Sequence, residues 1–575
     1  MSLLRFWPHT FALVLATSVS APAGNFPGFR GGDGRSVSSD RNYPVEWGPE
    51  KNVRWRVELP GRSNGSPVVW GDRVFILQPV EKENRRTLMC FNRADGKLLW
   101  QSGVTYAEKE AHHPDNPYCS GTPATDGERV YACFGSAGLY CYDFAGKEVW
   151  RRELGKLNHM FGNAISPAIV GDLVVVNYGP GEGTRLVAVD RKTGEIKWEA
   201  KPPKVDPSEQ TMSGPRLSGP GMMVVMPMMA GDKDEDSTLS LQEMANLADA
   251  WFDKLDPDKA GKVTKEQFPE RLNVALAPPQ GAPGGGPPPG KVLGQPLFEA
   301  LDADRDAAVT RQEMKATMAD WHAKWAGGGD GLLDMNQALD GLNALFPPPK
   351  GAPGGPPGFG GDAGPGGSWS TPLVIRANGR EEIIVSFPNR LAAYAPKTGE
   401  LLWFSKGLAD AVQPSPVWDE QAGVIVAPSG DMSGGKMLAV RPGGKGDVTD
   451  SHRAWQQARV KGCIGSGVVR EGRLYSIATD GFAVCNDLKT GNRLWQKRLE
   501  GNAEKGTSWS SMLLADGKIY VPNQSGDVFV LRAGREFEVL ATNSVGEPTN
   551  ASLAASNGEL FLRTDKALWC IGGGK

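Results

Sequence analysis

The chain has 575 residues, with 63 Lys and Arg against 66 Asp and Glu, a formal net charge of −3, 74 Gly and 44 Pro. This balance excludes the basic field that holds nucleic acid, and no long run of one sign marks a membrane-surface patch. The supply of turn residues is that of an all-β repeat protein long enough for a large core.

At the amino terminus, Arg5 precedes an apolar run at 11–16 and then Ala21-Pro22-Ala23. This layout predicts a secretory signal over residues 1–23, with an apolar run far short of the ~20 residues that span a bilayer. A periplasmic or secreted protein without a transmembrane segment is expected, and no cysteine follows the run to carry a lipid anchor.

Past this leader comes Phe29-Arg-Gly-Gly-Asp-Gly-Arg-Ser-Val37, then a strand candidate at 53–57. A repeating unit starts at Ser66-Pro67. A small-residue opening leads into an apolar strand, a Gly71-Asp72 turn, further strands at 74–77 and 88–91, an aspartate turn at Asp95-Gly96 and a strand ending at Trp100. The final phrase recurs at Trp150, Trp198, Trp403 and Trp495, with looser copies at Trp55 and Trp455. From Trp55 to Trp495 the intervals are 45, 50, 48, 205, 52 and 40 residues. All but one fit the period of propeller blades.

Matching openings occur at Gly121-Thr122-Pro123, Ile165-Ser166-Pro167, Ser370-Thr371-Pro372, Ser415-Pro416, Gly465-Ser466, Ser510-Ser511 and Ala551-Ser552. With Ser66, that makes eight blades of roughly 48 residues. The last opening is followed by only three strands, so residues 53–57 are predicted to supply the fourth and close the ring. The predicted division is residues 24–202 for the closing strand and three blades, 203–367 for an insert, and 368–575 for five blades.

Several side chains within the blades invite chemistry. Cys90, Cys141, Cys485 and Cys570 fall at corresponding positions of four blades, which favours buried small residues over bridges. Cys119 and Cys133, close together in blade two, are the one pair left open to a bond. His112-His113 and His159-Met160 lie just before inner strands, near a channel mouth. Adjacent side chains diverge, so loop packing is expected rather than a shared metal. No nucleophile triad, phosphate loop or HExxH helix is present.

The insert begins with Met222, Met223, Met226, Met228 and Met229. They are read as the apolar face of an incoming helix in preference to a copper site. Asp232, Asp234 and Asp236 then take positions one, three and five of a twelve-residue loop that closes on Glu243, with Thr238 offering its carbonyl at position seven. This is the EF-hand calcium pattern, in which a tight turn aims alternate oxygens at one hard cation and the last glutamate completes the shell. Asp302, Asp304, Asp306, Ala308 and Glu313 repeat it.

Two weaker copies each start 24 residues later. The second loop keeps Asp256, Asp258 and the Lys262 carbonyl but has Ala260 and Gln267 in place of two carboxylates. The fourth has Ala326 and Gly328 at its first ligand positions and ends on Gln337. About two calcium ions are therefore expected. Each strong loop is expected to pair with the degraded loop that follows it, sharing one helix, with the two pairs set apart by the Pro/Gly stretch 277–289. A second such stretch, 347–367, leads back to the propeller. Ser237 and Ala307 stand at the sixth position, where a positive φ costs a non-glycine residue on the order of 1 kcal/mol.

The phrases Arg191-Lys-Thr-Gly-Glu-Ile-Lys-Trp198 and Leu488-Lys-Thr-Gly-Asn-Arg-Leu-Trp495 resemble the pyrroloquinoline-quinone-like propeller repeat. Residues 29–37 and the segment Ala439-Val-Arg-Pro-Gly-Gly-Lys-Gly-Asp-Val448 are similar to a subgroup of secreted bacterial propellers of that type. The resemblance covers nearly everything outside the insert and implies an eight-bladed, quinoprotein-like β-propeller. Quinone-dependent dehydrogenases with this repeat hold their cofactor with calcium in the central channel and typically carry a vicinal cysteine disulfide. The chain has no Cys-Cys pair, so pyrroloquinoline quinone is not expected. The same repeat serves outer-membrane assembly scaffolds. The expected function is a monomeric, non-catalytic scaffold for an envelope or extracellular protein or glycan. A quinone-dependent alcohol or sugar oxidoreductase and a polysaccharide-binding propeller are the alternatives.

Overall fold

The computed structural model describes residues 24–181, 183–205, 221–234, 238–276, 288–326, 331–346, 367–431, 434–501 and 506–572. The predicted leader at 1–23, the predicted loop ligand Asp236, Ser237, most of both Pro/Gly stretches and residues 327–330 of the fourth loop lie outside them.

Eight antiparallel sheets of four core strands make the propeller. In blade one, Val68–Trp70, Arg73–Val80, Arg85–Asn92 and Leu98–Thr105 pair in succession. The middle strands are almost wholly buried, whereas the last is half exposed along its length and forms the rim. Ring closure matches the sequence reading. Val53–Glu58 pairs with Ala567–Ile571 as the fourth strand of blade eight, with Trp55 opposite Cys570.

The eight openings share one task, which is to bind each blade to the next around the axis. The backbone N–H of Ser66 donates to the Thr122 hydroxyl and that of Thr122 to Ser166. Thr371 donates to Ser415, Ser415 to Ser466, Ser466 to Ser511, Ser511 to Ser552 and Ser552 back to Ser66. All these bonds measure 2.9–3.1 Å. Between blades three and four the join is made by Asn177, whose amide donates to the Ser368 hydroxyl and the Ser370 carbonyl.

Farther out, the repeated tryptophans perform the same task. The Trp100 Nε1 donates to the Phe144 carbonyl, Trp150 to Arg191, Trp198 to Pro396 and Trp455 to Leu488, each crossing to the following blade. The glycine of the following phrase lies flat on the ring. At Gly194, φ is 71° and an added Cβ would stand 2.6 Å from Trp150, so only glycine fits.

Both ends of the channel are crossed. At one end, residues 24–38 run over the inner strands. Phe26 bridges Val69, Thr125 N–H donates to the Pro27 carbonyl, and Val37–Ser38 lies parallel to Leu513–Ala515. Arg30, buried, donates to the carbonyls of Pro416 and Gly467 on blades five and six. At the other end, the Asp115 carbonyl accepts from Asn64 and Asn550, and Asn116 donates to the Phe161 carbonyl. His113 packs between Phe161 and Trp509, and His159 against Trp369. The histidines are thus placed in cap packing. Burial lowers the His159 pKa. All seven cysteines are buried and free, Cys119 and Cys133 among them, and burial pushes those two thiols up to about 12.

Ring closure also has an ionic clasp. Glu547 accepts from Arg56 of the closing strand and from Thr564 and Trp569 of blade eight. Burial opposes its charge, yet these donors outweigh burial and hold the carboxyl below its ordinary value of 4.5. With the folded pKa below the unfolded one, the stabilisation is complete above pH 4.5 and is lost as pH falls through the lowered value. Glu547→Gln is expected to flatten the acid limb of a stability-versus-pH curve between about pH 5 and 3. Acid limbs of equal slope in the two proteins would contradict this assignment.

The insert contains six described helices: α1 (Met222–Met229), α2 (Leu241–Leu255), α3 (Phe268–Ala275), α4 (Pro289–Leu301), α5 (Arg311–Trp325) and α6 (Met335–Leu345). The methionine run is indeed the incoming helix, with Met228 fully buried. In place of two separated pairs there is one core, running from Val224 through Trp251, Phe268 and Phe298 to Phe346. No described helix is long and apolar enough to cross a membrane.

Loop pairing also differs from expectation. Thr238–Leu239 of the first loop pairs with Leu333–Asp334 of the fourth, and Lys262–Thr264 of the second with Ala308–Thr310 of the third. The cause is the antiparallel packing of α2 on α5. Arg311, at the start of α5, binds Asp249 and Asp253 in the second half of α2, and Lys315 binds Asp249. His322, near the end of α5, reaches the Leu239 carbonyl just before α2. Each strong loop therefore still faces a degraded one, but across the core rather than along the chain.

Candidate metal centre

The first loop leaves α1 at Asp232, whose N–H donates to the Met229 carbonyl. Ser240 caps α2, its side chain accepting from the Glu243 N–H while Glu243 reaches back to the Ser240 N–H. This reciprocal cap is why a glutamate three residues after a serine opens a helix, and it aims the carboxylate into the loop. Ligand oxygens of Asp232, Asp234 and Glu243 come within 4.8 Å of one another. The other Glu243 oxygen accepts from Lys233 and Asp234 N–H. Burial works against its charge, but the backbone donors at Ser240 and Lys233 prevail and the pKa is lowered.

The third loop brings together Asp302, Asp304 and Asp306, again within 4.8 Å. Asp302 accepts from the N–H groups of Asp306 and Ala307, fixing the turn, and Thr310 and Glu313 repeat the reciprocal cap at α5. Glu313 lies outside the acidic triplet and is held by the Ala303, Asp304 and Thr310 N–H groups. Ala307 has φ of 66°, the left-handed turn anticipated at the sixth position. Thr238 and Ala308 lie in the short ladders, buried.

Such groups of carboxylates repel one another unless a cation lies among them, and hard oxygen donors suit calcium. The degraded loops differ. In the second, Asp256 accepts from Ala260 and Gly261 N–H, and Arg271 from α3 binds Asp258 at 2.5 Å and stands 3.8 Å from Asp256. In the fourth, Arg459 of blade five binds Asp334 at 3.1 Å and donates to the Leu332 carbonyl at 3.3 Å. Sequence reading missed both arginines. Arg271, four residues past Gln267, is a cation one helical turn beyond a degraded loop and was findable; Arg459, more than a hundred residues away, left no local signal.

Residues 16–112, 84–225 and 387–571, more than half of the chain, match the family model described as outer membrane protein assembly factor BamB. The matched blocks leave out the four loops. Among solved structures, BamB from Moraxella catarrhalis is 12% identical with a TM-score of 0.44, covering 90% of this chain and 96% of that one. A europium-containing methanol dehydrogenase is 12% identical with a TM-score of 0.41, over 94% and 89%. The quinohemoprotein alcohol dehydrogenase from Comamonas testosteroni is 12% identical with a TM-score of 0.36, over 96% and 81%. No curated protein matches the chain.

Proposed function

Because the chain belongs to the family of the outer membrane protein assembly factor BamB, we propose that it is a non-catalytic scaffold of the cell envelope, periplasmic or secreted. Its propeller carries an EF-hand module whose first and third loops bind calcium, and the ions fix the helix angles presented to a protein partner. The observation that supports a scaffold most is the crossed channel. The buried Arg30 guanidinium and the ring of hydroxyls are engaged in joining blades. A quinone bound there would have to displace them.

Calcium would be held by Asp232, Asp234 and Glu243 with the Thr238 carbonyl, and by Asp302, Asp304, Asp306 and Glu313 with the Ala308 carbonyl. Asp236, outside the described residues, completes the first set in the sequence pattern. The Asp256, Asp258 and Lys262 set is weaker because Arg271 already neutralises it.

The quinone-dependent oxidoreductase and the polysaccharide binder remain the competing readings. Incubation with pyrroloquinoline quinone and calcium is expected to give no bound quinone absorbance and no dye-linked alcohol or sugar oxidation, and turnover would overturn the scaffold reading. In the same preparation, a cross-linked envelope protein should be lost on chelation. Capture of glycans alone on an array would favour the third reading.

A further inference from the structure

The two degraded loops are not merely short of ligands; each holds an arginine. Arg271 comes from the module itself, but Arg459 comes from the outer strand of blade five, Arg453–Val460. It enters the fourth loop at two oxygens: Asp334 Oδ2 and the Leu332 carbonyl. Counted from Ala326, these residues hold positions seven and nine, which in a filled loop turn toward the ion directly or through water. The other Asp334 oxygen caps α6 through the Gln337 N–H. At positions seven and nine, the described end of the loop therefore receives a guanidinium from the propeller where a filled loop would face its cation. Both side chains of the pair are about a quarter exposed, and a planar fork across a carboxylate and a carbonyl is geometry that lysine does not reproduce.

The fourth loop is also the one laddered to the first. Thr238 lies opposite Asp334, and Leu239 opposite Leu333. Thr238 is the residue whose carbonyl would bind the first calcium. A continuous path thus runs from that ion through a two-residue ladder to Asp334 and Arg459. The third loop is laddered to the second, which is filled by the module's own Arg271 and not by a propeller side chain among the described ion pairs.

We propose that the fourth loop is an arginine receptor docking the module on blade five, and that this docking and calcium at the first loop strengthen each other. The inference rests on the calcium reading above. An ion drawing the Thr238 carbonyl inward orders the ladder and fixes the two oxygens that receive Arg459. A seated Arg459 fixes the same ladder for the ion. Linkage makes the two effects equal in size. The two calcium sites are then inequivalent, the first tied to the propeller and the third independent of it.

The test uses the full chain. Calorimetric calcium titration of Glu313→Gln isolates the first site, and that of Glu243→Gln the third. Adding Arg459→Ala is expected to weaken calcium about five- to tenfold in the first background and to leave the second unchanged; Arg459→Lys should restore little. Equal weakening at both sites, or none at either, overturns the coupling.

Docking has its own readout. All natural cysteines are buried, so spin labels on Lys254→Cys in α2 and Lys497→Cys on blade six report the distance between module and propeller. A single narrow distance that broadens with Arg459→Ala is expected, and an unchanged distribution overturns the docking. Absence of calcium heat in every variant would refute the calcium reading and the coupling with it, while the spin-label distances still decide the docking.

Discussion

Trp150→Ala is expected to lower the unfolding free energy by about 3–5 kcal/mol, as full truncation of a buried tryptophan does, read as a shifted urea midpoint. The ring is 8% exposed, packs on Tyr131 and Gly194, and donates through Nε1 to the Arg191 carbonyl at 3.1 Å. Its removal therefore leaves a void between two blades and takes one of three side-chain donors from the Arg191 carbonyl, which also accepts from Arg129 and Tyr131. Trp495→Ala provides the comparison. Blade seven lacks the glycine phrase, so the Trp495 ring stands edge-on to Phe537 and its Nε1 has no partner. The ring is also half-buried, and about half the loss is expected there. Equal losses at the two positions would mean that the indole bond and the flat glycine contact add nothing to blade cohesion.

The second large effect concerns the ions. The wild-type chain is expected to bind about two calcium ions, and the double variant Glu243→Gln with Glu313→Gln none. Each single variant should lose one, with affinity at the altered loop falling at least about tenfold because the closing carboxylate supplies both charge and two oxygens. Glutamine keeps the helix cap, as Gln337 does with Asp334 at α6. Any loss is then a loss of ligand charge and not of the α2 or α5 start. A double variant that still takes up two ions would remove the calcium assignment.

What could be read from the sequence was local or periodic. The tryptophan phrase and the hydroxyl openings recur at one spacing, so the eight blades and their closure by residues 53–57 were legible. The carboxylates at 232, 234, 302, 304 and 306 were legible because their geometry is contained within one turn of chain. Loop partners were not. Whether the first loop faces the second or the fourth depends on how α2 lies on α5, and that is decided by Arg311, Lys315 and a shared core far apart in sequence. The motif at residues 29–37 could be recognised but not understood, because its role requires inner strands from blades five to seven to be in place beneath it. Arg459 was invisible for the same reason, since it is an ordinary rim arginine until the fourth loop closes on it.

The strap formed by residues 24–38 also has a temporal consequence. Its contacts are with blades one, two, five, six, seven and eight, and blade seven is formed from residues 513–544. Much of the seat of this early-synthesised segment therefore does not exist until almost the last of the chain has arrived. Pairings of such long sequence separation form late and slowly. The ring must exist before its axis can be sealed, so the strap can be seated in full only once the late blades have formed.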